Sequence, residues 1–117
     1  MKLKRRDWEN RGSYRKRILT QGELGEGILV QVVQVPAGKV VGEHYHRHQT
    51  EFYYILRGSA KLKIGDHIYE AEQGDAYVCF AGEVHSVDNS SGEEAFELLV
   101  LKLNYRGEDS VWLSRGD

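Results

Sequence analysis

The chain has 117 residues, a net charge of −2, 40% apolar and 29% charged residues, a balance that fits one folded domain and excludes a disordered tail-like protein. Cys79 is the only cysteine, which excludes an internal disulfide framework, and no apolar run approaches the ~18 residues of a membrane-spanning helix. The charge is uneven: residues 1–17 carry eight basic side chains and two acids, whereas residues 18–117 carry eight and sixteen.

Residues 1–14 read as a basic arm and residues 15–117 as a single domain. The opening M-K-L-K-R-R-D-W lacks the apolar centre of a secretory signal, so the expected compartment is the cytoplasm. The arm is expected to be solvated or to lie on the acidic body, with a role in pairing subunits as a second reading. Nucleic acid is not an expected partner, because the body repels phosphate and no recognition motif accompanies the arm. Strands are expected at residues 15–20 and 28–35, the second rich in β-branched residues and stopped by Pro36. Residues 40–46 and 51–56 follow as strands, with the polar R-H-Q-T stretch between them read as a hairpin-type turn. Short strands at 60–64 and 68–71 flank a Gly65-Asp66-His67 loop. Further strands are expected at 77–80, 84–88 and 96–104, and a short terminal one at 111–113. Short strands with regular turn signals predict a small all-β sandwich or barrel. The closing Arg115-Gly116-Asp117 matches an adhesion tripeptide only by chance.

His44 and His46 carry the chemistry. At positions i and i+2 of a strand they share a face, with α-carbons roughly 6.6 Å apart, a spacing from which two imidazoles converge on one ion. Glu51 lies five residues on and reaches the same ion only if the chain turns between Arg47 and Thr50. His48, in that turn, is not expected to be a ligand; a straight His44/His46/His48 triad would span roughly 13 Å.

These residues belong to a longer pattern. Gly38, His44, His46, Glu51 and Gly58 fall on the fixed positions of G(X)5HXH(X)3–4E(X)6G, the first motif of the cupin superfamily. Gly74, Gly82, His85 and Asn89 match its second motif, G(X)5PXG(X)2H(X)3N; the proline position holds Phe80. The chain therefore resembles a small single-domain cupin over roughly residues 15–105. The resemblance implies a double-stranded β-helix, or jelly-roll barrel, and adds His85 as a fourth ligand beside His44, His46 and Glu51.

Three imidazoles and one carboxylate suit one divalent transition metal, Fe, Mn, Ni, Co or Zn, rather than Mg or Ca. An octahedral ion would keep two positions for a chelating ligand. Tyr53 shares the parity of Glu51 and is expected to line the cavity. Phe52, Tyr54 and Leu56 have the opposite parity and offer an apolar outer row, from which a homodimer is expected. Asn89 is expected to bond loop backbone, and Cys79 to be a small core residue. The function expected is that of a metal-binding cupin, an oxygenase-type enzyme acting on a small oxygenated or acidic molecule. The alternatives are a non-catalytic small-ligand or sugar-binding cupin, and a sugar-phosphate isomerase-type cupin. No catalytic base stands out: Glu43 faces outward beside His44, and Glu83 lies in a turn.

Overall fold

A computed structural model describes residues 1–107 and 109–114; Glu108 and the Arg115-Gly116-Asp117 tripeptide lie outside the described residues. Among the described residues there are eleven strands and no helix. They are β1 (Glu9–Asn10), β2 (Arg15–Gln21), β3 (Leu29–Val35), β4 (Val40–His46), β5 (Thr50–Arg57) and β6 (Ser59–Ile64), followed by β7 (His67–Glu72), β8 (Ala76–Cys79), β9 (His85–Asp88), β10 (Phe96–Leu103) and β11 (Ser110–Trp112). A six-stranded sheet runs β1-β2-β3-β10-β5-β8, and a five-stranded sheet runs β11-β4-β9-β6-β7. All strand pairs are antiparallel. This is the all-β jelly roll that the motifs imply.

Alternation along each strand explains which face is inside. In β10, Phe96, Leu98, Val100 and Lys102 are buried, and the residues between them are not. In β5, Glu51, Tyr53 and Ile55 point in while Phe52 and Tyr54 point out. The resulting core includes Val35, Ile55, Leu62, Phe96, Leu98 and Val100. It fills the space between the sheets beneath the site.

The turn at 47–50 differs from the sequence expectation. It is not a hairpin, because β4 and β5 do not pair and lie in opposite sheets. Residues 47–49 form a corner at which the chain crosses the sandwich. The sequence pattern of a polar stretch between two strands is the same for both geometries, so parity alone could not tell them apart. Asp109 pins this corner: its carboxylate accepts the N–H groups of His48 and Gln49 at 2.8 and 3.1 Å, and its carbonyl accepts that of Arg47 at 3.2 Å. His67 is the first residue of β7 rather than part of the loop, so Gly65-Asp66 alone makes that turn. β1 was not expected; two exposed polar residues show no alternation, yet Glu9 and Asn10 pair with Lys16 and Arg15.

Gly58, between β5 and β6, adopts φ +79° and lies against Ala95, whose carbonyl oxygen a Cβ would strike. Asn89 is buried, and its amide donates to the carbonyls of Val35, Pro36 and Glu94 at 3.0–3.2 Å, the backbone role expected of it.

Candidate metal centre

His44 and His46 project from β4, and His85, the first residue of β9, is the cross-strand partner of His44. The register shifts between Val41 and His44, a bulge of the kind that re-aims side chains at functional sites. Ring centroids lie 4.1 Å apart for His44 and His85, 5.0 Å for His46 and His85, and 5.3 Å for His44 and His46. One nitrogen from each ring falls within 4.8 Å of the other two. Glu51 reaches the group from the opposite sheet. Its Oε1 lies 3.1 Å from His46 Nε2 and 3.3 Å from His85 Nε2, and accepts the Tyr53 hydroxyl at 2.8 Å.

Each imidazole is fixed through its other nitrogen. His44 Nδ1 bonds the Gly42 carbonyl at 2.8 Å, His46 Nδ1 the Ser110 hydroxyl at 3.1 Å, and His85 Nδ1 the Glu83 carbonyl at 3.1 Å with Cys79 Sγ at 3.4 Å. A carbonyl partner places the proton on Nδ1 and leaves Nε2 with its lone pair toward the centre, as ligating histidines require. For neutral His85 that lone pair then faces a Glu51 oxygen, and two acceptors at this distance need a proton or a cation between them. The donor set therefore fits a divalent transition metal.

The electrostatics agree. Burial opposes charge on Glu51, but hydrogen bonds from His46 and His85 and the charges of His85 and Lys102 outweigh it, holding the carboxyl pKa well below the ordinary range. Burial also works against a charged His85, yet its bonds to Cys79 and Glu51 and the Glu51 charge push it up to about 10. His44 is depressed to about 3, by burial first and then by the charge of His85. Burial, reinforced by Glu51, holds the Tyr53 hydroxyl well above its usual value, so it stays a hydrogen-bond donor.

A cavity of about 160 Å³ opens onto this cluster. His44, His46, Glu51, His85 and Tyr53 all line it, so the structure brings together every residue singled out for the site. Glu43 does not join them, pairing instead with Lys63 at 3.3 Å.

The cupin-domain family matches residues 31–102, a span that contains all four proposed ligands. The chain belongs to the cupin family. It is 34% identical over 73 residues to the oxalate-binding protein of Thermotoga maritima, a match covering 61% of this chain and 59% of that one. It is 28% identical over 90 residues to the mannose-1-phosphate guanylyltransferase of Salmonella montevideo, covering 76% of this chain. The cupin chain spans 19% of that transferase's length. In fold it is similar to a conserved double-stranded β-helix protein of Klebsiella pneumoniae, with a TM-score of 0.75 at 18% identity, covering 92% and 90% of the two chains.

Four features of this cupin's site escaped the sequence reading. Trp112 stacks on His44 with centroids 4.1 Å apart and planes at 23°, and Ser110 holds His46; nothing in a short terminal V-W-L says that it pairs with β4. Lys102 and Gln31 line the cavity. Both share parity with buried apolar neighbours in their strands, and that signal could have found them. Phe80 stands at the motif's proline position, where no proline ring restrains the turn. The structure shows what replaces the ring: Phe80 N–H donates to Glu83 Oε1 at 2.7 Å, and Glu83 N–H donates to the Phe80 carbonyl at 3.1 Å. A proline has no N–H for the first of these bonds.

Proposed function

We infer that this cupin holds one divalent transition-metal ion through His44, His46, Glu51 and His85, and with it a small oxygenated or acidic molecule. The observation that carries the reading is the orientation of the donors: three imidazoles fixed through Nδ1, with a buried carboxylate from the opposite sheet against two of them. A bound ion of this kind supplies a Lewis acid with open positions and, if redox-active, a partner for oxygen. Tyr53 donates to Glu51 and keeps that carboxylate aimed, and Trp112 walls one side of His44.

Among the described residues Glu51 is the one carboxylate lining the cavity. Glu43 and Glu83 are engaged elsewhere. Among the described residues no other carboxylate is placed to shuttle a proton, which favours oxygenase-type chemistry over isomerase-type chemistry. Plain ligand holding is the second reading, favoured by the likeness to an oxalate-binding protein. A cytoplasmic homodimer is part of this proposal; separately, among the described residues no helix is long and apolar enough to cross a membrane.

The test is metal content. Natively purified protein is expected to hold about one ion per chain, the number the four donors provide for, and His46→Ala and Glu51→Ala are expected to lose most of it. If both variants keep wild-type stoichiometry, the ion sits elsewhere.

A further inference from the structure

One buried amide serves neither the fold nor the metal centre. Gln31 is 4% exposed, lies on the inward face of β3 and lines the cavity. Its Oε1 accepts no hydrogen bond among the described residues. Its neighbours on that face are Leu29 and Val33 along β3, Ile18 across on β2 and Val100 across on β10. All four are apolar, so none can donate to it. Leaving a buried acceptor unpaired is unfavourable, and a leucine of similar volume would pack here without that cost. Gln49 and Asn89 also keep one unpaired side-chain atom, but neither lines the cavity.

Packing gives no reason for the amide; its position does. Tyr53, Val100 and Gln31 are cross-strand partners in one row over β5, β10 and β3. Glu51 is the next inward residue along β5 from Tyr53. Gln31 therefore stands two strands from the strand that carries Glu51, roughly 10 Å at the usual strand spacing, with Val100 between. Val33 and Leu98 pair in the next inward row and also line the cavity. The cavity thus has the imidazole–carboxylate cluster on one side, an apolar floor, and one unfilled acceptor beyond it. An amide oxygen is neutral. A buried ammonium would need a carboxylate at its side, so the donor that suits Gln31 is a hydroxyl.

We propose that Gln31 is the specificity-determining residue of this cavity, accepting the terminal hydroxyl of a small aliphatic ligand whose other, oxygen-bearing end lies at the histidine cluster. This deepens the ligand reading above and rests on it for the cavity being the ligand site. Gln31 is not a ligand of the ion, so its choice of a hydroxyl operates with or without metal. The apolar floor of Val33, Leu98 and Val100 receives the carbon chain between the two polar ends.

Butanediol, pentanediol and hexanediol, hydroxylated at both ends, test it against butanol, pentanol and hexanol. Each is titrated into the full chain, both loaded with Zn(II) and stripped of metal, and followed by amide chemical shifts. Desolvation alone favours the alcohol of each pair. The diol that best spans the floor is nevertheless expected to bind about tenfold more tightly than its alcohol, the discrimination of one satisfied buried acceptor. Gln31→Leu is expected to bring that ratio to about one or below, to keep the Zn(II) stoichiometry, and to raise the melting temperature, because it removes an unpaired polar group from apolar surroundings. Gln31→Met, closer in shape, is expected to do the same and serves if the leucine variant does not fold. A wild-type ratio near one, or no binding by any diol, overturns the proposal. So does a ratio that survives in either folded variant, which with a lowered melting temperature would make Gln31 a packing residue only. Should no Zn(II) bind, the metal reading fails, and the stripped protein still decides this one by the same ratio.

Discussion

His85 and Glu51 hold a proton between them when no ion is present, because His85 is pushed up to about 10 and Glu51 is held low. An ion arriving at neutral pH must displace that proton. Affinity is therefore expected to rise about tenfold per pH unit between roughly pH 6 and 9, one proton released per ion. Calorimetry in buffers of different ionisation heat measures the release directly; a pH-independent affinity would contradict it. The metal-free protein carries a second signature. The raised His85 contributes stability that is full below its ordinary pKa of about 6.5 and is lost as pH rises toward 10. His44, depressed to about 3, acts in the opposite sense, and its contribution is lost as pH falls from about 6.5 toward 3. Glu51 adds to the acid-side loss at lower pH. Together they put the stability maximum of the stripped protein near pH 6.5, and thermal melts across pH 4–9 check it.

The element that completes the site is β11. Strand β4 carries two of the proposed ligands and lies between β9, which carries the third histidine, and β11, which carries none. Yet Ser110 holds the His46 ring through Nδ1, Trp112 stacks on His44, and Asp109 ties down the corner that leads to Glu51. Ser110→Ala is expected to weaken ion binding about 10- to 100-fold, the usual cost of losing a histidine's outer partner, with little change in melting temperature. A stability loss at unchanged affinity would show that the contact serves packing alone. The strands themselves were legible because period-two alternation survives in β3, β5 and β10, and the His44/His46 pair was legible because its spacing is short-range, whereas His85 came only with the second motif. What alternation does not encode is which sheet a strand joins. That is why the corner at 47–49 read as a hairpin, and why β11 read as a terminal strand without its neighbour. Lys102 was legible in principle, sitting on the inward parity of F-E-L-L-V-L-K-L, but it was passed over as one charge in an apolar run.

Across the whole molecule, the outer face of the six-stranded sheet stands out. Val78, Phe52, Leu101 and Val30 lie side by side in register, and Ala76, Tyr54, Leu99 and Val32 form the next row. Phe52, Tyr54 and Val78 are exposed. One end of this face is closed by a polar ladder, in which Arg15 donates to Gln34, Gln34 to Glu97, and Arg57 pairs with Glu97. The arm is not wholly detached from this sheet: β1 extends it, and Trp8 lies within 4.6 Å of the Arg15 and Arg17 guanidinium groups. An apolar surface with a polar border is the anatomy of an interface. Light scattering is expected to give twice the 13.4 kDa chain mass, and Leu101→Glu to halve it while the cupin fold persists. A wild-type mass of one chain at micromolar concentration would reject the pairing.

The imidazoles come from one sheet and the carboxylate from the other, so the two layers meet at the centre without any backbone bond between them there. A sliding of one layer over the other would leave the three rings at their mutual spacing and carry Glu51 away from them. The centre is thus a gauge of interlayer alignment. An ion seated across the gap would act as a rivet, resisting any sliding of one layer over the other.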